Sequence, residues 1–128
     1  MLRQDYILRL VEELARAIAR SLSRTKEQDF ARAEAELDEA ERRLGLFHGS
    51  ERLDASSLAR LLGGDKCVLY AKLLLARAEI AERRQQAGSQ DALRQRAKQL
   101  LTVARPGALA DLKAELLEHL ASLQNQGS

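Results

Sequence analysis

Residues that build sheets are scarce in this chain. Val, Ile and Thr together fill 8 of 128 positions, and the aromatics are two Tyr and two Phe with no Trp. Strands favour β-branched and aromatic side chains because these fill a pleated surface. The composition therefore excludes a β-sandwich, a barrel or an α/β sheet. Cysteine is nearly absent too. Cys67 has no second thiol to pair with, and with His48 and His119 it falls short of the four ligands of a structural zinc site. No metal and no cofactor are implied, and a reducing, cytoplasmic location is expected. Long apolar runs are missing. The most apolar stretch, 67–81, carries Lys72, Arg77 and Glu79 and is shorter than the roughly 20 residues that span a bilayer, so no membrane is expected as a partner. Arg3, Asp5, Arg9 and Glu12 interrupt the N-terminal stretch, which does not read as a secretory signal. Charge of one sign is lacking as well: 21 basic against 19 acidic residues leave +2, too little by itself to draw nucleic acid or anionic lipid.

What the chain does have is 25 Leu and 21 Ala, with 31% charged residues. Leu and Ala are strong helix formers, and this length suits one domain able to bury its own core. An all-α domain over residues 1–123 is expected, followed by a polar tail, 124–128.

Apolar spacing places the helices. Leu2, Tyr6, Ile7, Leu10, Val11, Leu14, Ile18 and Leu22 recur at three and four and predict a helix over 2–22. Thr25 and Gln28 have capping-box spacing, so a second helix is expected from about Lys26 to Leu44, with a narrow seam of Phe30, Ala33, Leu37, Ala40 and Leu44 and a stop at Gly45. Asp54 is placed to cap a short helix, 55–62, ended by Gly63-Gly64. Asp65 would cap a fourth helix, about 66–87, which is apolar nearly all round and so belongs in the middle of the domain or in an oligomer interface. Gly88 should break it and Ser89 cap a fifth helix, 90–104. Pro106-Gly107 would end that helix before a last one, 108–123, rich in Leu. A shift of 60 residues lays Leu8, Val11, Leu14 and Ile18 on Val68, Ala71, Leu74 and Ala78, and lays Ala33, Leu37, Ala40 and Leu44 on Leu93, Ala97, Leu100 and Ala104. The first two helices thus match the fourth and fifth as hairpins.

Asp29-Phe30-Ala31-Arg32-Ala33, followed by Leu37 and Ala40, resembles the second helix of a tetratricopeptide unit. Gly88, then Leu93, Ala97, Leu100 and Pro106, resembles a looser copy, with Leu93 where a small residue is expected and without the first-helix aromatics. The opening Met1 to Leu14 is similar to a group of small bacterial proteins of no established activity. The resemblance implies a tetratricopeptide-like stack of helical hairpins, five or six helices in all. A closed helical bundle is the alternative.

Candidate chemistry is thin. His48 stands in an expected loop, and Glu115 with His119 has a spacing that could put two ligands on one helix face. Cys67 follows a lysine near a helix start, which could lower a thiol pKa, but a buried structural role is the expectation. Gly63-Gly64-Asp65-Lys66 lacks the spaced glycines and preceding strand of a phosphate loop. The charge pattern says more. Residues 25–62 hold 6 basic and 9 acidic groups, net −3, and residues 63–105 hold 9 basic and 4 acidic, net +5. Glu34, Asp38 and Glu41 make an acidic ridge. Arg77, Arg83, Arg84, Arg94 and Arg96, with Lys98 and Arg105, make a basic belt around Gly88 and are the candidate partner-binding residues.

The expected function is a non-catalytic protein–protein interaction or scaffold module, with an unknown protein partner and a possible homodimer. One alternative is a small nucleic-acid binder using the Arg-rich hairpin, against which the absence of interleaved aromatics argues. Another is an enzyme with an acid or base such as His48, Glu79 or His119.

Overall fold

The computed structural model describes residues 2–46 and 49–126, with side chains for 5–46 and 49–125. His48 lies outside the described residues. Within them the chain is all-helical: α1 (Leu2–Lys26), α2 (Phe30–Arg43), a 3-10 turn (Ser50–Arg52), α3 (Ala55–Leu62), α4 (Gly64–Arg83), α5 (Ala87–Val103) and α6 (Ala110–Gln126).

All twelve apolar residues that mark α4 in the sequence, from Cys67 to Ala81, are buried. The other five α-helices all pack against it. The choice between the middle of a domain and an oligomer interface thus falls on the middle: the chain wraps this helix itself. Around it, α1 buries Ile7, Leu10, Leu14 and Ala17, α2 buries Ala33, Leu37 and Ala40, and α5 buries Ala97, Leu100 and Leu101. Each of these helices contributes one stripe and keeps its charged face in water. The 60-residue shift holds for the second helix of each hairpin, where Ala33, Leu37, Ala40 and Leu44 correspond to half-buried Leu93 and buried Ala97, Leu100 and Ala104. It holds less well for the first, because Leu8 is 50% exposed whereas its counterpart Val68 is fully buried.

The helix boundaries correct several expectations. α1 runs through Thr25, so Thr25 and Gln28 form no capping box. The Thr25 hydroxyl donates to the Ser21 carbonyl at 2.8 Å and the Ser21 hydroxyl to that of Ile18 at 2.8 Å. Both side chains are buried with their polar atoms satisfied by their own helix, so they extend the buried stripe that their polarity would seem to end. Asp29 caps α2, its carboxylate accepting from the Arg32 amide.

The chain leaves α1, α2 and α4 by the same device. The amides of Asp29, Leu46 and Gln86 bond back to Arg24, Glu41 and Ala81, and those of Gln28, Gly45 and Gln85 to Thr25, Arg42 and Glu82. These are paired Schellman bonds, which need a left-handed residue just past the helix. Gly45 supplies it after α2 at φ 88°, but Gln28 and Gln85 adopt φ 62° and 58°. The second hairpin therefore turns at Gln85. Gly88 and Ser89 do not break or cap a helix. They lie in the first turn of α5, which starts at Ala87. At the other end, α6 continues through Gln126, into the expected tail.

Asp54 caps α3 as expected, accepting from the Ser57 amide at 2.7 Å. Asp65 does not cap α4. It sits inside the first turn of that helix, and its carboxylate accepts from the amides of Gly107 at 2.9 Å and Leu109 at 3.1 Å, the free donors at the start of α6. Gly64 makes this approach possible. A Cβ there would lie 2.1 Å from the Arg105 carbonyl oxygen and 2.8 Å from the Pro106 nitrogen. The Gly-Gly-Asp segment is thus a notch that seats the α5–α6 connection, and Lys113 Nζ closes the same connection by donating to the Ala104 carbonyl at 2.8 Å.

Glycine is wanted at one of these positions and irreplaceable at another. Gln85→Gly should stabilise the chain by about 0.5–1 kcal/mol, because glycine carries no left-handed penalty. Gly64→Ala should destabilise it by about 3 kcal/mol, because the methyl meets backbone that has nowhere to go. Urea denaturation of the two variants checks both signs.

Candidate interaction surface

The expected basic belt does not form one surface. Arg77 points from α4 onto the acidic ridge of α2. Its guanidinium meets Asp38 at 2.5 Å, Glu41 at 2.9 Å and also Glu34. These carboxylates stand at i, i+4 and i+7, one face of a helix, and Arg77 is only 15% exposed. Burial alone would weaken its charge, but the bonds and charges of Glu41, Asp38 and Glu34 outweigh burial and hold its pKa above the ordinary arginine value. Arg96 is also engaged internally, donating to the Leu53 carbonyl and so tying the loop before α3 to α5. Arg84 lies over the Phe30 ring, 5.4 Å from its centroid. Arg94 reaches Glu82 at 3.9 Å across the α4–α5 hairpin.

The remaining belt residues line hollows on the two sides of α5. Between α6 and the α4–α5 hairpin lies a hollow of about 370 Å³, with Leu75, Ala78 and Leu123 in its lining and Glu79, Glu82, Arg83, Arg94 and His119 among its polar groups. Arg94 and Leu123 also line an adjoining hollow of about 360 Å³ that continues the groove along α5 and α6 past Lys98 and Leu120. The structure therefore brings together Arg83, Arg94, Glu79 and His119, which the sequence left scattered. It separates them from Arg77 and Arg96.

On the opposite side of α5, against α3, lies a more open hollow of about 540 Å³ that touches Lys98, Gln99 and Thr102. Next to it is one of about 300 Å³ that holds Arg60 and Arg105. Arg60 escaped the sequence reading because it sits on a short helix outside the basic segment. Its position on α3 next to an apolar face could have suggested it.

Of the other candidates, Cys67 belongs to the core. Cys67 is fully buried, with its Sγ 3.7 Å from the Leu100 carbonyl. Burial pushes its pKa from the ordinary 9.0 to about 11, while Arg96 and Lys113 pull the other way. Such a thiol stays protonated at neutral pH. Glu115 and His119 are both exposed on α6. Among the described residues no group of three or more His, Cys, Asp or Glu side chains could hold a metal ion, and no helix is long and apolar enough to cross a membrane. No protein-family model, curated protein or solved structure matches this chain.

Two measurements test these placements. Arg77→Ala leaves three carboxylates facing one another and should cost about 2–4 kcal/mol, whereas Arg77→Lys keeps the charge but loses the fork and should cost less. A denaturation midpoint unmoved by Arg77→Ala would show that the cluster does not hold α2 on α4. For Cys67 the neutral form is favoured in the folded chain. From pH 9 to about 11 the unfolded thiol has lost its proton while the folded one keeps it. Its stabilisation is thus complete below pH 9 and disappears as pH rises through that window. Cys67→Ala should flatten this alkaline decline in chemical denaturation, and an identical decline in both proteins would refute the assignment.

Proposed function

We propose that this chain is a non-catalytic protein-interaction module, a tetratricopeptide-like pair of helical hairpins flanked by α6, that takes a protein partner along the groove between α6 and the α4–α5 hairpin. The observation that carries this reading is the groove's lining. Half-buried Leu123 and the edges of buried Leu75 and Ala78 lie between polar groups of both signs, Glu79 and Glu82 with Arg83 and Arg94. An apolar centre within a polar rim is the composition of a protein-binding patch. Nucleic acid fits it less well, because the lining is not basic and offers no aromatic face for stacking. An enzyme would have to work with Glu79 and His119, which share the groove but are both exposed, so bulk water would reach any substrate held between them. In this reading the chain works in the cytoplasm, where a single protonated thiol is stable. Association with a second copy has a basis in Tyr6, Leu8 and Leu61, exposed large apolar side chains among the described residues, and light scattering over a tenfold range of concentration tests it.

The module reading is tested by placing a photo-crosslinking residue at Ser122, on the exposed side of α6, in cells that make the protein. A discrete protein adduct is expected, lost in the folded variant Leu123→Glu and retained in His119→Ala. A folded His119→Ala variant that behaves like a deletion would favour the enzyme. Adducts only to nucleic acid would favour the second alternative.

A further inference from the structure

We infer that the groove between α3 and α5 is a docking site for an acidic amphipathic segment of a partner protein. The two hollows that make up this groove share Ser56 and Val103, so they adjoin. Their apolar lining is small, Ala55, Ala59 and Val103, which lets a backbone or a helix approach closely. Three cations stand along it: Lys98 at one end, Arg60 and Arg105 at the other. All three are exposed. Among the described residues, none of them has a carboxylate partner within ion-pair distance, whereas Arg20, Arg24, Arg32, Arg42, Arg43 and Arg77 all do. The one acid in the lining, Asp54, accepts from the Ser57 amide at 2.7 Å to cap α3 and is also drawn to Arg60, so the lining keeps a net positive charge. The groove therefore carries three cations against one carboxylate.

The occupant follows from that chemistry. Lys98 lies on α5 and Arg105 just past its C-terminus, towards opposite ends of the groove, so carboxylates spaced along one face of a docking helix can meet both. The small apolar floor accepts the Ala or Leu positions between them. Nucleic acid also carries negative charge, but the groove has no aromatic side chain for a base to stack on, and three cations give it little hold on a phosphate chain. The site shares only Gln95 and Lys98 with the α6 groove, and the Arg60, Arg105 and Leu123 variants touch neither, so the two readings can fail independently.

The test is fluorescence anisotropy at low salt with a labelled peptide of Glu, Leu and Ala long enough for about four helical turns. Its counterpart with Gln for every Glu and a labelled oligothymidylate of similar length are the controls. The acidic peptide should bind the wild-type chain, and the double variant Arg60→Glu/Arg105→Glu should weaken it by at least about tenfold while its thermal melt stays unchanged. Leu123→Glu, in the other groove, should leave the affinity as it is. Amide shifts in NMR should map to Ser56, Gln99, Thr102 and Val103. No binding, equal binding by the double variant, equal binding of the Gln peptide, or tighter binding of the oligothymidylate would each overturn the proposal. So would self-association of the chain that the double variant abolishes, since that would give the groove to a second copy.

Discussion

Helix α4 leaves water only a narrow polar stripe of Lys72, Glu79 and Arg83, and the rest of the molecule is arranged around that constraint. A helix so nearly buried needs neighbours in almost every direction, but each neighbour needs only one apolar stripe. That is why α1, α2 and α5 can be strongly charged and still fold onto it. The seam of α2 is partly Ala, and small side chains let it approach closely. Close approach creates its own demand. Arg77 is the charged residue of α4 that faces α2, and a buried guanidinium is tolerable only with partners. Glu34, Asp38 and Glu41 are those partners. Their spacing fixes the rotation of α2 about its axis, and the polar lock sets what the Ala seam alone would leave loose.

The same helix organises the other end of the chain through its first turn. Gly64 provides the space and Asp65 the acceptor that hold the start of α6. α6 is thus held both by its Leu-rich face, buried at Leu120 and, just ahead of the helix, at Leu109, and half-buried at Leu112, Leu116 and Leu117, and by a polar clamp in the turn before its first residue. With that face only partly covered, the seam between α6 and the hairpin remains a groove.

Most of the apolar architecture was legible in the sequence, because burial is written in periodicity. The twelve residues of α4, the seam of α2 and the bounds and cap of α3 all follow from local spacing. What was not legible depends on contacts distant in sequence or on conformations that the residue type does not advertise. Gln28 and Gln85 take left-handed turns that sequence reading assigns to glycine, at a cost of roughly 1 kcal/mol each that tertiary packing offsets. Ser21 and Thr25 look like a break because their hydroxyls are polar, yet both are satisfied within their own helix. Asp65 sits where a cap would, but its partners are more than forty residues away. The acidic ridge and the basic belt were each visible as patterns. That Arg77 belongs to the ridge was not, because composition gives the sign of a charge and not its direction around the helix.

That direction decides what the surface can do. α5 buries Ala97, Leu100 and Leu101, so its flanks are left to α3 on one side and α6 on the other, and each flank carries a groove. Gln95 and Lys98 line the hollows on both sides and so form the crest between them. The two grooves differ in electrostatic character. On the α6 side, acids and bases alternate and neutralise one another at short range. On the α3 side, Lys98, Arg60 and Arg105 face the single carboxylate of Asp54. An uncompensated charge at a surface costs little while water solvates it, and its field steers ligands of opposite sign. A mixed surface has almost no field at a distance and selects by fit at contact.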